Sequence, residues 1–151
     1  MISIATNKSS YWPGDEIAAS VELVLKKPVK GRGLIAVLEC HESHKVEVTK
    51  QLDQYDYDRE KELGIPRSTH LKTETHFHDE IIFKKEMKLA GERVYGKENF
   101  EVKFQLPKDA KPTSKEYGHD KFIHVWKLKV KLDIPLTIDK NAEKEIFVDG
   151  L

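Results

Sequence analysis

Three sets of side chains in this chain could do chemistry. His76 and His78 sit two residues apart with Asp79 beside them, and His41 and His44 precede them along the chain. On an extended strand, positions i and i+2 share a face, so His76 and His78 present two imidazoles together. A third ligand from elsewhere would complete a zinc site, which takes imidazole nitrogens at about 2.0–2.1 Å. The stronger zinc signatures pair their ligands twice, and a solvated sheet face near a strand end reads the same way. No metal is therefore assigned, with His76 and His78 kept as the candidates. Cys40 is the second set. It shares an apolar stripe with Leu34, Ala36 and Leu38, where a cysteine fills core rather than attacks substrate. The third set is cationic. Lys26, Lys27, Lys30 and Arg32 crowd one stretch, and Lys127, Lys129 and Lys131 form a row on one face. Such lysines keep sheets soluble and guard strand edges; the functional alternative is a site for an anion, a phosphopeptide or a lipid headgroup.

Catalysis finds little else to work with. No Gly-x-Ser-x-Gly elbow occurs and no glycine-rich phosphate loop. Carboxylates are numerous, but nothing in the pattern places two of them in a pocket. The chain reads as a non-enzyme without a cofactor.

The elements that hold these groups are strands. Tyr11-Trp12-Pro13-Gly14-Asp15 is a tight turn: proline presets φ for its second position, and glycine accepts a positive φ cheaply. After it Ile17, Ala19, Val21, Leu23 and Leu25 alternate with Glu16, Ser20 and Glu22, the signature of a half-buried strand. Ile2, Ile4 and Thr6 mark a short strand before the turn. Residues 26–33 read as a basic loop. A third strand starts near Leu34, with apolar residues on both faces as an interior strand would have, and extends through Val46 and Val48. Residues 51–68 are charged and poor in β-branched residues, a surface excursion with a helical turn near 58–63. The strand pattern resumes at Thr69, breaks near His78-Asp79, and continues through Ile81, Phe83, Met87 and Leu89. Residues 91–98 are expected as a loop. Phe100, Val102, Phe104 and Leu106 form the next strand, residues 108–121 a second long loop, and Trp126, Leu128, Val130, Leu132 and Ile134 the core side of another strand. Residues 145–148 make the last. Tyr11 and Trp12 are expected to plug one end of the fold.

Seven to nine one-sided strands, with no segment of helical period, must cover their apolar faces with one another. The expected architecture is an all-β, antiparallel, immunoglobulin-like β-sandwich, without the paired cysteines of an antibody domain. At 151 residues it is one domain, 1–151, able to bury about 68–70% of its unfolded surface. Its 26 basic and 26 acidic groups cancel, which gives no reason to expect nucleic acid as partner. One cysteine makes no internal disulfide. No signal peptide is visible, and no apolar run approaches the ~20 residues of a membrane span. A soluble, cytoplasmic protein is the expectation.

The order of landmarks carries a resemblance. Tyr11-Trp12-Pro13-Gly14-Asp15 is followed by residues 29–40, Val-Lys-Gly-Arg-Gly-Leu-Ile-Ala-Val-Leu-Glu-Cys. Later come residues 100–107, Phe-Glu-Val-Lys-Phe-Gln-Leu-Pro, and residues 123–130, Ile-His-Val-Trp-Lys-Leu-Lys-Val. The chain resembles the N-terminal domain of the arrestin superfamily, which includes arrestins, trafficking adaptors and bacterial sporulation-control proteins. That resemblance implies a non-catalytic adaptor or scaffold that binds other proteins. Members usually carry two sandwiches in tandem, and this chain has room for one, so a homodimer is expected to supply the second. Their interdomain charge latch has no place in one domain, and of their paired phosphate-sensing lysines only Lys8 lies near the first strand. The expected mechanism is strand addition at an exposed edge, with loops 51–68 and 108–121 setting selectivity. The alternative is a sandwich that holds an anion or lipid headgroup on Lys26, Lys27, Lys30 and Arg32.

Overall fold

The computed structural model describes residues 1–51, 71–117 and 121–150, without the side chains of 50, 51, 71 and 72. Seven strands are formed among them: β1 (Ile2–Thr6), β2 (Glu16–Gly31), β3 (Gly33–Gln51), β4 (Leu71–Ala90), β5 (Arg93–Gln105), β6 (Phe122–Asp133) and β7 (Lys140–Ile146). They build a three-stranded sheet in the order β1-β2-β5 and a four-stranded sheet in the order β4-β3-β6-β7. Every pairing is antiparallel. The apolar alternation decides the faces. Ile17, Ala19, Val21, Leu23 and Leu25 of β2 are buried, as are Leu34, Ala36, Leu38 and Cys40 of β3 and Trp126, Leu128, Val130 and Leu132 of β6. These stripes meet between the sheets and form one core.

The Pro-Gly turn behaves as its residues dictate. Gly14 takes φ +88°, and Asp15 Oδ2 accepts the Trp12 N–H at 2.8 Å. Tyr11 is buried beneath it, and its hydroxyl donates to Asn7 Oδ1 at 2.6 Å. Trp12 does not plug the sandwich; it is 50% exposed. The reason is parity: Tyr11 bridges Val148 and turns inward, so its neighbour turns outward.

Three expected interruptions are strands instead. The basic stretch 26–33 is not a loop, because β2 runs to Gly31 and β3 starts at Gly33. Its irregularity is a bulge between Val24 and Val29, opposite Lys97 and Tyr95. Residues 91–98 are not a loop either. β5 begins at Arg93 and pairs through Tyr95 with Val29, and the fully buried Tyr95 ring anchors it. Gly31 lies against that ring: an added Cβ would sit 2.9 Å from Leu132 Cδ1 and 3.0 Å from Tyr95. The break at His78-Asp79 is absent. β4 is continuous, and the irregularity lies four residues later, where Phe83 pairs Cys40 and Ile81 pairs His41, leaving Ile82 as the extra residue of a bulge. The last strand covers Lys140–Ile146 rather than 145–148, with Val148 reduced to an isolated bridge. The third strand is interior, between β4 and β6, and does extend past Val48. The helical turn expected near 58–63 lies outside the described residues.

Candidate functional site

Strand length leaves one long strand edge open among the described residues. β3 pairs with β6 only from Gly33 to His44, whereas it pairs with β4 as far as Gln51. Beyond His44 the two strands run on as a ribbon. Among the described residues β4 has no neighbour on its other side, so one row of its backbone donors and acceptors is open to solvent. The edge has two unlike halves. From Leu71 to Ile81 the register with β3 is uninterrupted. Above that, extra residues at Ile82 and Leu89 kink the strand, and Lys84, Lys85 and Lys88 line it, both means of discouraging edge pairing. The regular half exposes Phe77 (57%) and Ile81 (48%). Tyr117 leans on Phe77 with ring centroids 5.6 Å apart, and the Ser43 hydroxyl donates to Asp79 across the pair.

The histidines line the opposite face of the same hairpin. His78 is the cross-strand partner of His44, and His76 that of Val46. His76 and His78 therefore do share a face, and the fold adds His44 and His124 to it, while His41 lies on the other face. Three of the four already have a side-chain partner. His124 Nε2 is 2.7 Å from Glu42 Oε2, His76 Nε2 is 3.3 Å from Glu74 Oε2, and the His44 ring stacks on Phe122 at 4.2 Å. Among the described residues no three His, Cys, Asp or Glu side chains converge to hold a metal ion.

The cationic sets are kept apart. Lys127, Lys129 and Lys131 lie on the outer face of the four-stranded sheet, each beside a carboxylate: Glu143 at 3.7 Å, Glu39 at 3.0 Å and Asp139 at 3.1 Å. Lys30 lies 3.7 Å from Glu92 and Arg32 3.6 Å from Asp133. Lys26 and Lys27 project from the β2 bulge, exposed. The residue that the pattern hid is Glu39, an acid buried on the outer face of β3. Burial works to raise its carboxyl, but hydrogen bonds from Lys129 and His41, with their charge, hold it below the ordinary glutamate value. An acid ending the apolar run Ile35, Val37 on that face was its only trace in the sequence. Cys40 is fully buried, and burial, followed by the Glu42 charge, pushes its thiol up to about 12. At neutral pH it carries no thiolate to attack with.

No curated protein matches the chain. Among solved structures it is similar to Spo0M, the sporulation control protein from Bacillus subtilis, with a TM-score of 0.63 and 19% sequence identity. The match covers 99% of this chain and 49% of that one, so the chain spans about half the length of the protein it resembles. At that identity the likeness speaks for the fold: two packed antiparallel sheets. The model of the family described as "Arrestin (or S-antigen), C-terminal domain" matches residues 1–148. It covers all seven strands, and it describes the second sandwich of the tandem, where the sequence motifs resembled the first. The chain belongs to the arrestin C-terminal domain family.

Proposed function

We propose that this domain is a protein-interaction module that takes an extended segment of a partner along the open edge of β4, between Thr73 and Ile81. One observation carries the reading: a long strand edge, regular in register and flanked by exposed Phe77 and Ile81, stands clear of the sandwich that supports it. An added strand satisfies the open backbone groups, and alternate side chains of the partner meet alternate faces. Outward, Phe77 and Ile81 offer apolar contact. Glu74, Asp79 and Glu80 on the same half favour a partner with cations among its apolar residues. The bulges and lysines above Ile82 confine pairing to the lower half. In this reading the protein is an adaptor without catalytic activity, and a second copy of the chain is one candidate for the added strand. Family membership and the buried, protonated Cys40 support it.

The test is a selection of extended peptides against the purified domain, followed by competition with substituted domains. Phe77→Glu with Ile81→Glu should weaken binding by about 2 kcal/mol or more, the scale of two lost apolar contacts. Binding should persist as salt rises, because backbone pairing and apolar contact are little screened. Peptides that bind the double variant unchanged would refute the reading. Light scattering on the eluted protein tests the second copy: a monomer at high concentration removes it.

A further inference from the structure

Where β3 parts from β6, the strand register brings together two imidazoles that lie far apart in the sequence. The last residue of β3 to pair with β6 is His44, opposite Phe122, and on its other side His44 pairs with His78 of β4. The row across the sheet thus runs Phe122, His44, His78. Side chains directly opposite on an antiparallel pair share a face, with Cβ atoms about 4.5–5.5 Å apart. His44 stacks on Phe122 with ring centroids 4.2 Å apart, a contact made through the ring face that occupies neither nitrogen. His78 is exposed. Neither imidazole has a hydrogen-bond or carboxylate partner among the described residues. The surroundings suit a cation. The rest of that face carries the acids Glu42, Glu74 and Glu80 and the imidazoles of His76 and His124. No lysine or arginine stands among them, in a chain that has 26. His124 occupies Glu42 and His76 occupies Glu74, whereas Glu80, two residues from His78, meets no cation among the described residues.

We propose that His44 and His78 chelate a divalent transition ion of the nitrogen-seeking class, Cu2+, Ni2+ or Zn2+, with water in its remaining positions. Imidazole is the ligand these ions share, whereas Mg2+ and Ca2+ ask for oxygen. Nitrogens about 2.0–2.1 Å from a metal require only that two rings standing side by side lean together. The pair is not the one that the His76–His78 spacing suggested, because His76 already meets Glu74. With two protein ligands the site is open to solvent, unlike the closed four-ligand centres that hold structural zinc. Glu80 adds negative charge beside it. The position gives the ion a role. Beyond His44 the ribbon has lost its β6 neighbour, and a bridge from His44 to His78 ties β3 to β4 where that support ends. The site goes beyond the strand-edge reading and does not rest on it.

The experiment is calorimetric titration of the 151-residue chain, purified without a histidine tag, with CuCl2, NiCl2 and MgCl2. The tightest site should hold one ion per chain, Cu2+ more firmly than Ni2+ in the usual order of these ions, and Mg2+ should give no binding heat. His78→Ala should weaken Ni2+ binding at that site by about tenfold or more, since losing even an outer-shell partner costs that much. The His78 side chain is exposed, so without metal this variant should keep the circular dichroism and melting curve of the parent. Excess Ni2+ should raise the melting temperature of the parent and leave that of His78→Ala in place. His44→Ala should weaken binding equally, and His41→Gln, on the other face, should leave it unchanged. If His44→Ala loses its stack on Phe122 and with it the fold, His78→Ala alone decides. Absence of Cu2+ and Ni2+ binding, undiminished binding in His78→Ala, or equal loss in His41→Gln each overturns the proposal. No peptide enters these titrations, so their failure and the failure of strand addition at β4 are read separately.

Discussion

Glu39 sits where a strand with apolar residues on both faces would ordinarily hold another aliphatic. Its carboxylate is tolerated because Lys129 and His41 donate to it at 3.0 Å and 2.7 Å, which answers the cost of burying a charge. A carboxyl held below its unfolded value adds stability at pH above that value, near 4.3. The contribution is lost as pH falls through the lower folded value. Glu39→Gln should therefore cost about 1–2 kcal/mol at pH 7, lowering the melting temperature by roughly 2–8 °C. Below pH 4 the difference from the parent should shrink; urea titrations at pH 7 and pH 3.5 measure it, and a constant difference would contradict the assignment. Cys40 makes a simpler case. Its thiol, pushed up to about 12 and fully buried, should resist iodoacetamide in the native protein and react promptly in urea, as mass spectrometry would read. Rapid native labelling would reopen the case for a reactive cysteine.

At the scale of elements, the junction of β2, β3 and β5 depends on one position. Gly31 packs where a methyl group would press on Leu132 and the Tyr95 ring, both fully buried. Gly31→Ala should destabilise by about 1–3 kcal/mol, the cost of overpacking a filled core. Equilibrium unfolding checks it, and an unchanged midpoint would mean that the ring yields freely. The same junction explains what the sequence hid. Gly31, Gly33 and Gly96 read as loop punctuation, yet Gly31 ends β2, Gly33 opens β3 and Gly96 lies inside β5, and at Gly31 glycine is needed for close approach rather than for a turn. In the same way the hydrophobic run through Ile81, Ile82 and Phe83 loses its alternation at a bulge, and the pattern alone cannot tell a bulge from a break.

The whole molecule was more legible than its surfaces. Strict alternation in β2, β5 and β6 specified half-buried strands, and one-sided strands without helices leave only sheet-on-sheet packing. The family followed from the order of the turn and strand motifs. Which strand ends up at an edge, and which exposed aliphatic is stranded on a tip, depends on partners distant in sequence. Phe77 alternated as a core residue would, and points outward because His44 and His78 claim the inner face of the hairpin. The lysine rows were visible as residues, but their carboxylate partners, on β3, β7 and the hairpin tip, were not. The proposed adaptor role requires that β4 receive a partner's strand. Amide hydrogen exchange, measured with and without a peptide selected on the domain, tests that most directly. New protection is expected at amides between Thr73 and Ile81 and in the peptide backbone itself, with β5 and β7 unchanged. Protection that appears elsewhere, with the amides of that stretch exchanging as fast as before, would contradict it.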